Sequence, residues 1–266
     1  MSLSADTLRG MLARLVDVLF PRRCVGCGAG PWPFCLRCRG GITELVPPGC
    51  SRCGRPLEVE TAACGDCPPS VIGWSRAAFL YEGPVRRALM ALKFSGLSGV
   101  AEALAPFMTE ALARAPPVGR AIGEDGDAVL TWVPLGPRRL RKRGYDQAEV
   151  LARAVGALSG LPVRRLLRRV LETAPQARRA GPERRLALRG AFALAGEVRG
   201  TVVLIDDVLT SGATASECAS VLRGGGAVEV GVITAARSLG GGLPPRCYNP
   251  ARFPPGSVVA RGRSSR

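Results

Sequence analysis

The sequence predicts an α/β protein, a parallel sheet flanked by helices, preceded by a small module built on cysteine. Three observations carry this. Val202 to Ile205 form an uninterrupted apolar run that passes into two acids and a series of small residues. Strand-like and helix-like segments alternate from residue 74 onward. Eight of the ten cysteines fall within residues 21 to 70 as four C-x-x-C pairs. A strand that is apolar at every position is buried on both faces, the situation of a parallel sheet covered by helices on each side.

Residues 1–20 carry Leu8, Met11, Leu12, Leu15, Val18 and Leu19 at helical spacing, interrupted by Asp6, Arg14 and Asp17. The pattern predicts an amphipathic helix packed on its own protein, and the charges argue against a signal peptide. Elsewhere no apolar run approaches the roughly 18 residues a membrane span requires.

Residues 21–70 hold Cys24/Cys27, Cys35/Cys38, Cys50/Cys53 and Cys64/Cys67. A C-x-x-C turn places two thiolates on one side of a tight knuckle, and two knuckles complete a tetrahedral zinc site. Two structural zinc ions follow, with sequential and interleaved pairing both open. The chain has no histidine, so thiolate is the natural ligand. Disulfides would suit an exported protein, and the N-terminal segment does not read as an export signal; four pairs in fifty residues argue against a redox C-x-x-C. Closed all-cysteine sites leave no position for chemistry, and the metal supplies folding energy that a segment this small lacks.

From residue 71 to 238 the spacing predicts a second domain. Ala77–Tyr81 reads as a strand, Val85–Phe94 and Ser98–Arg114 as helices, and Ala115–Asp127 as a loop. Ala128–Val133 is a second buried strand, followed by a loop packed with cations, Arg138, Arg139, Arg141, Lys142 and Arg143, and by a helix from Gln147 to Ser159. Such a loop at the carboxyl edge of a sheet suits a pyrophosphate or a nucleic-acid backbone, although charge runs are often no more than a solvated face. Residues 172–182 show little apolar periodicity and read as a mobile or ligand-ordered loop. Ala191–Leu194 is a short strand, Ala215–Leu222 a helix and Val228–Thr234 a further strand. The Gly224–Gly226 turn ends a helix and is therefore no dinucleotide motif. Residues 239–266, with five arginines and no acids, read as a disordered basic tail.

The central run then sets the chemistry. Asp206 and Asp207 fall at the carboxyl end of its strand, where open α/β sheets hold ligands. Thr210, Ser211, Gly212, Ala213 and Thr214 let a ligand approach the backbone, and the helix that follows offers free amides and a positive dipole end to a phosphate. Two acids beside a phosphate cradle suit ribose hydroxyls or a divalent cation. A lone Asp-Asp would more simply be a turn, and a Walker B strand would need a P-loop that the chain lacks.

Charge narrows the partners. The formal charge is +16, reduced to about +12 once eight thiolates hold two zinc ions. Residues 138 to 189 hold fifteen Arg/Lys against four Asp/Glu, whereas residues 190 to 236 hold two against five. A concentrated basic surface favours an anionic partner such as single-stranded DNA or a polyphosphate.

Together these stretches resemble the ComF/GntX competence-associated proteins over about residues 18 to 238. The marks are the four C-x-x-C pairs, Tyr81-x-Gly83, Leu92-Lys93-Phe94-x-Gly96, Val133-Pro134-Leu135, the Arg138 to Glu149 segment, Thr173-x-x-Gln176, the Arg184 to Phe192 segment, and the stretch from Val202 to Thr214. The last is similar to the phosphoribosyl-pyrophosphate (PRPP) motif of type I phosphoribosyltransferases. The resemblance implies an N-terminal all-cysteine double zinc ribbon on a type I phosphoribosyltransferase-like domain, with Asp206 and Asp207 toward ribose hydroxyls or Mg²⁺ and Thr210 to Thr214 around a 5′-phosphate. Arg138 and the Pro134–Pro137 loop would take the pyrophosphate side. It further implies a cytoplasmic protein of DNA uptake, working beside uptake or helicase proteins. Asp146 stands where the family usually has Asn, and Ala187 where Asn is common.

Overall fold

The computed structural model describes residues 22–96, 99–115, 128–172 and 187–239. The expected N-terminal helix, the loop over 116–127, the Thr173-x-x-Gln176 motif, residues 184–186 of the Arg184 to Phe192 segment, and the tail from 240 lie outside them. After a single short helix in the cysteine-rich segment, α1 (Leu36–Arg39), the chain runs β1 (Trp74–Leu80), α2 (Gly83–Phe94), α3 (Gly99–Ala113), β2 (Ala128–Trp132), α4 (Pro137–Arg143), α5 (Gln147–Ser159), β3 (Leu167–Arg169), β4 (Phe192–Leu194), β5 (Thr201–Leu209), α6 (Ala213–Gly224) and β6 (Glu229–Arg237).

Four strands pair in the order β1-β6-β5-β2, every pair parallel. The apolar run of β5 is explained by two cores. Val203 and Ile205 join Leu89, Leu104, Leu151 and Val155 from α2, α3 and α5. Val202 and Leu204 join Cys218, Ala219 and Leu222 from α6, together with Leu167 and Phe192 of the antiparallel β3–β4 pair. Neither parity of residue faces water, so neither can be polar.

Three local differences from the sequence reading bear on the site. β5 continues through both acids to Leu209, because β6 pairs alongside it as far as Arg237 opposite Leu209. The cation-rich segment is a two-turn helix and not a loop: Pro137 presets its first position, and Gly144, at φ 77°, ends it by donating its N–H to Leu140 O. β3, unexpected from the sequence, pairs with β4 to cover the α6 side of the sheet.

The β1–β6 seam is packed tightly enough to test. Trp74 stands opposite Gly231 in register, and a methyl group at 231 would overlap the Trp74 ring. Gly231→Ala is expected to destabilise the domain by about 1–3 kcal/mol in denaturant unfolding; an unchanged midpoint would mean that the seam has room to spare.

Candidate functional site

The cysteines gather sequentially. The four sulfurs of Cys24, Cys27, Cys35 and Cys38 lie within 4.8 Å of one another, as do those of Cys50, Cys53, Cys64 and Cys67. The donor chemistry fits a divalent cation. The backbone N–H groups of Gly30 and Ala29 bring Cys27 down to about 6, while burial and then the three neighbouring thiols push Cys38 up to about 12. In the second cluster Cys64 is likewise pushed up to about 12, first by burial. Four sulfurs so close ionise together only with a shared metal, and two all-thiolate tetrahedra fit two structural zinc ions.

The cleft arises where β2 stops. Trp132 is its last residue, opposite Ile205, and Val133 N–H closes the ladder on Ile205 O at 3.0 Å. The chain then turns away through Pro134 to Gly136 into α4. β5 goes on, paired only with β6, so Asp206 to Leu209 line one wall of a cleft of about 230 Å³ whose opposite wall is Val133 to Leu135. Asp146 holds that wall in place. Its Oδ2 accepts from Leu135 N–H at 2.7 Å and its Oδ1 caps α5 by accepting from Ala148 N–H at 3.0 Å. Two acceptor oxygens are needed for two amide donors, a demand that the carboxylate meets.

The two acids differ in their surroundings. Asp207 is buried and its Oδ2 pairs with the Lys93 ammonium on the last turn of α2. Burial works against the Lys93 charge, but the carboxylates of Asp207 and then Asp206 outweigh it and hold the ammonium above its ordinary range. Asp206 lies beside Asp207, and its Oδ1 accepts from Asp207 N–H at 2.8 Å. Desolvation, then the Asp207 charge, push its carboxyl well above the usual range. Such a carboxylate gains from a hydroxyl donor or a cation placed beside it.

Beyond the acids, Gly212 sits in the left-handed region at φ 71° and caps α6. The helix has no side-chain cap and no acid in its first turn, so its dipole end faces the cleft unneutralised. Thr210, Gly212, Ala213 and Thr214 line this cleft, whereas Ser211 lines a separate crevice behind the loop.

The cationic segment is divided by its helical form. Arg139 and Arg143, four residues apart, line the cleft, while Arg138, Arg141 and Lys142 lie on the exposed face. Arg138 meets Glu172 only through its backbone N–H, at 2.7 Å. Arg143 is aimed by Gln147 Oε1 at 2.7 Å and lies 5.0 Å from the Phe94 ring centroid. Arg169 of β3 completes the rim, its guanidinium 5.2 Å from the Phe192 centroid. Burial and then the Arg139 charge lower the Arg169 pKa, the mark of cations crowded together.

Sequence reasoning assigned no site role to Lys93 or Arg169. Lys93 is one of two lysines among 37 basic residues, a signal in a chain that otherwise uses arginine. Arg169 was visible only within the count of fifteen Arg/Lys over 138–189; in a strand its neighbour Arg168 faces outward and Arg169 inward.

Acid-bearing strand end, helix N-terminus and cationic wall thus meet at one edge of a parallel sheet flanked by helices, behind a module of two four-cysteine clusters. Residues 15–68 match the family model described as a double zinc ribbon domain. The chain is 30% identical over 212 residues to DNA utilization protein YhgH of Salmonella typhimurium, covering 78% of this chain and 92% of the relative. It is 28% identical to Competence protein F of Haemophilus influenzae, with 77% and 90% covered. Competence protein ComFC of Bacillus subtilis is 27% identical, with 77% and 84% covered. Among solved structures, a purine phosphoribosyltransferase from Pyrococcus horikoshii aligns with 51% of this chain and 86% of its own at 12% identity and a TM-score of 0.27. The chain belongs to the ComF/GntX family. Among the described residues no helix is long and apolar enough to cross a membrane.

The raised Asp206 pKa has a stability consequence with a definite sign. A carboxyl whose folded pKa lies above its unfolded value stabilises the fold at low pH, and that contribution is lost as pH rises through the folded pKa. Without ligand, Asp206→Asn is therefore expected to melt higher than the parent at pH 8, with the difference shrinking toward pH 5.5. A difference in Tm independent of pH would show that Asp206 titrates normally.

Proposed function

We propose that the cleft binds Mg²⁺-PRPP or a related ribose 5-phosphate and transfers the phosphoribosyl group to an acceptor, in a protein serving DNA uptake or DNA processing. The observation that carries this reading is the convergence of three complementary partners for one ligand on a single sheet edge. The α6 N-terminus with Thr210 and Thr214 suits the 5′-phosphate. Asp206 and Asp207 suit the ribose hydroxyls, and Arg139, Arg143 and Arg169 suit the pyrophosphate. The Lys93–Asp207 pair sets the orientation of one carboxylate and leaves Asp206 as the stronger acceptor for a hydroxyl or a cation.

In this reading, departure of pyrophosphate leaves positive character on the ribose and negative charge on the leaving group. The acids offset the first and the guanidinium groups the second. Mg²⁺ bound with the substrate would neutralise pyrophosphate oxygens. The place in DNA uptake, in the cytoplasm beside uptake or helicase proteins, is carried over from the family; relatives bear the names competence protein and DNA utilization protein.

A second reading is favoured by Arg138, Arg141 and Lys142, which project away from the cleft. They suit the backbone of single-stranded DNA, with the pocket holding a phosphorylated ribose without reaction. With only three Trp and three Tyr in the chain, phosphate contacts would dominate over base stacking.

Calorimetric titration of Mg²⁺-PRPP into the zinc-loaded protein is expected to give saturable binding that is lost in Asp206→Ala/Asp207→Ala; absence of binding by the parent chain would overturn the PRPP reading. For single-stranded DNA, reversing Arg138, Arg141 and Lys142 to Glu is expected to weaken binding across all sequences and to flatten the dependence of log K on log salt by about 2–3. An unchanged slope would remove this helix from any DNA path.

A further inference from the structure

The second cysteine cluster abuts the anion-binding loop directly. Pro68, one residue past the ligand Cys67, lines one crevice with Thr210, Ser211 and Gly212, and a methyl group at 212 would be in van der Waals contact with it at 3.4 Å. Arg237, the last residue of β6, stands opposite Leu209 at the loop's root and is buried. Its Nη1 donates to Cys53 O at 2.6 Å and its Nη2 to Asp66 O at 3.3 Å, both carbonyls in the knuckles of that cluster. Ser238 N–H then bonds Leu209 O at 2.9 Å, so the knuckle grips β6 and β6 grips the start of the loop. Arg52 fastens the exit of the ribbon, donating to Pro68 O at 2.9 Å and to Ile72 O at 3.1 Å.

The first cluster is placed differently. Gly26 O accepts from Arg87 Nε at 2.6 Å, and Gly26 packs on Pro84. Both partners lie in the first turns of α2, away from Thr210–Gly212.

We infer that the second zinc ribbon is the positioning element of the anion-binding loop, so that metal occupancy at Cys50, Cys53, Cys64 and Cys67 and affinity for a ribose phosphate at the α6 N-terminus are thermodynamically linked. The proposal rests on the ribose-phosphate reading of the cleft. A C-x-x-C knuckle holds its carbonyls in place only while the metal holds its thiolates. Release of the metal removes the acceptors of Arg237 and frees Pro68 beside Gly212, and the loop loses the backing that holds its amides toward the cleft. Linkage is reciprocal: a ligand that requires the ordered loop must tighten the metal by the same factor that the metal tightens the ligand.

The test uses the full chain loaded with two zinc ions, with ribose 5-phosphate as the probe. In equilibrium competition against a chelator, saturating ribose 5-phosphate is expected to tighten one of the two ions by about tenfold, an ordinary coupling between sites. Cys27→Ser, which disables the first cluster, is expected to retain the protected ion. Arg237→Leu leaves all eight cysteines intact; it is expected to abolish the protection while still binding two ions, and to speed amide exchange at 210–213 without ligand. Equal effects of ribose 5-phosphate on both ions, or none on either although it binds, would overturn the linkage. If neither ribose 5-phosphate nor Mg²⁺-PRPP binds, the functional reading fails, and the exchange measurement decides the positioning claim: unaltered exchange in Arg237→Leu refutes it.

Discussion

The unequal length of two neighbouring strands governs the site. β2 closes its ladder with β5 at Ile205, while β6 supports β5 to Leu209. Over the intervening residues one edge of β5 is free of strand partners, and a cleft opens there. Had β2 run on, it would have covered the acids; had β6 stopped early, no strand would hold Asp206 and Asp207 in extended form. The rim then follows from what each face carries, α2 with Lys93 on one side and α6 with the β3–β4 pair on the other.

Charge is divided on the same plan. Asp207 is spent within the protein on Lys93, and Asp206 is left in a desolvated place where its ionised form lacks a full counter-charge. Arg139, Arg143 and Arg169 line the same cleft, Arg143 aimed by a neutral amide and Arg169 resting on a ring. A desolvated carboxylate and a row of guanidinium groups on one cleft are the features on which the ribose-phosphate reading rests. The ribbon adds support from behind, through backbone carbonyls that arginine side chains read as fixed points.

Much was legible in the sequence for stated reasons. The four C-x-x-C pairs specify their chemistry because thiolate spacing alone builds a knuckle. The apolar run of β5 specifies its two-sided burial, since no face of it is polar. Gln147 to Ser159 was readable as a helix from its periodicity, with Gly160 at φ 75° to end it. The cysteine pairing stayed open because sequential and interleaved knuckles use the same spacing, and only the observed clustering of the sulfurs separates them. The helix at 137–143 was missed because seven residues dominated by charge show no apolar periodicity; its form comes from Pro137, Gly144 and the wall it packs beside.

The amino-acid sequence by itself determined the types of group present: two four-thiolate metal sites, a strand ending in two acids, a small-residue turn into a helix, and a concentration of arginine. These depend on neighbours in the chain, through spacing, dihedral preference and periodicity. Which cation meets which acid was decided by tertiary structure alone. Lys93 reaches Asp207 across 114 residues of chain, Arg139 and Arg143 turn inward while Arg138 turns out, and Arg237 closes on Cys53. Those pairings are set by strand register and helix packing, which depend on how whole faces fit together and are written in no local stretch.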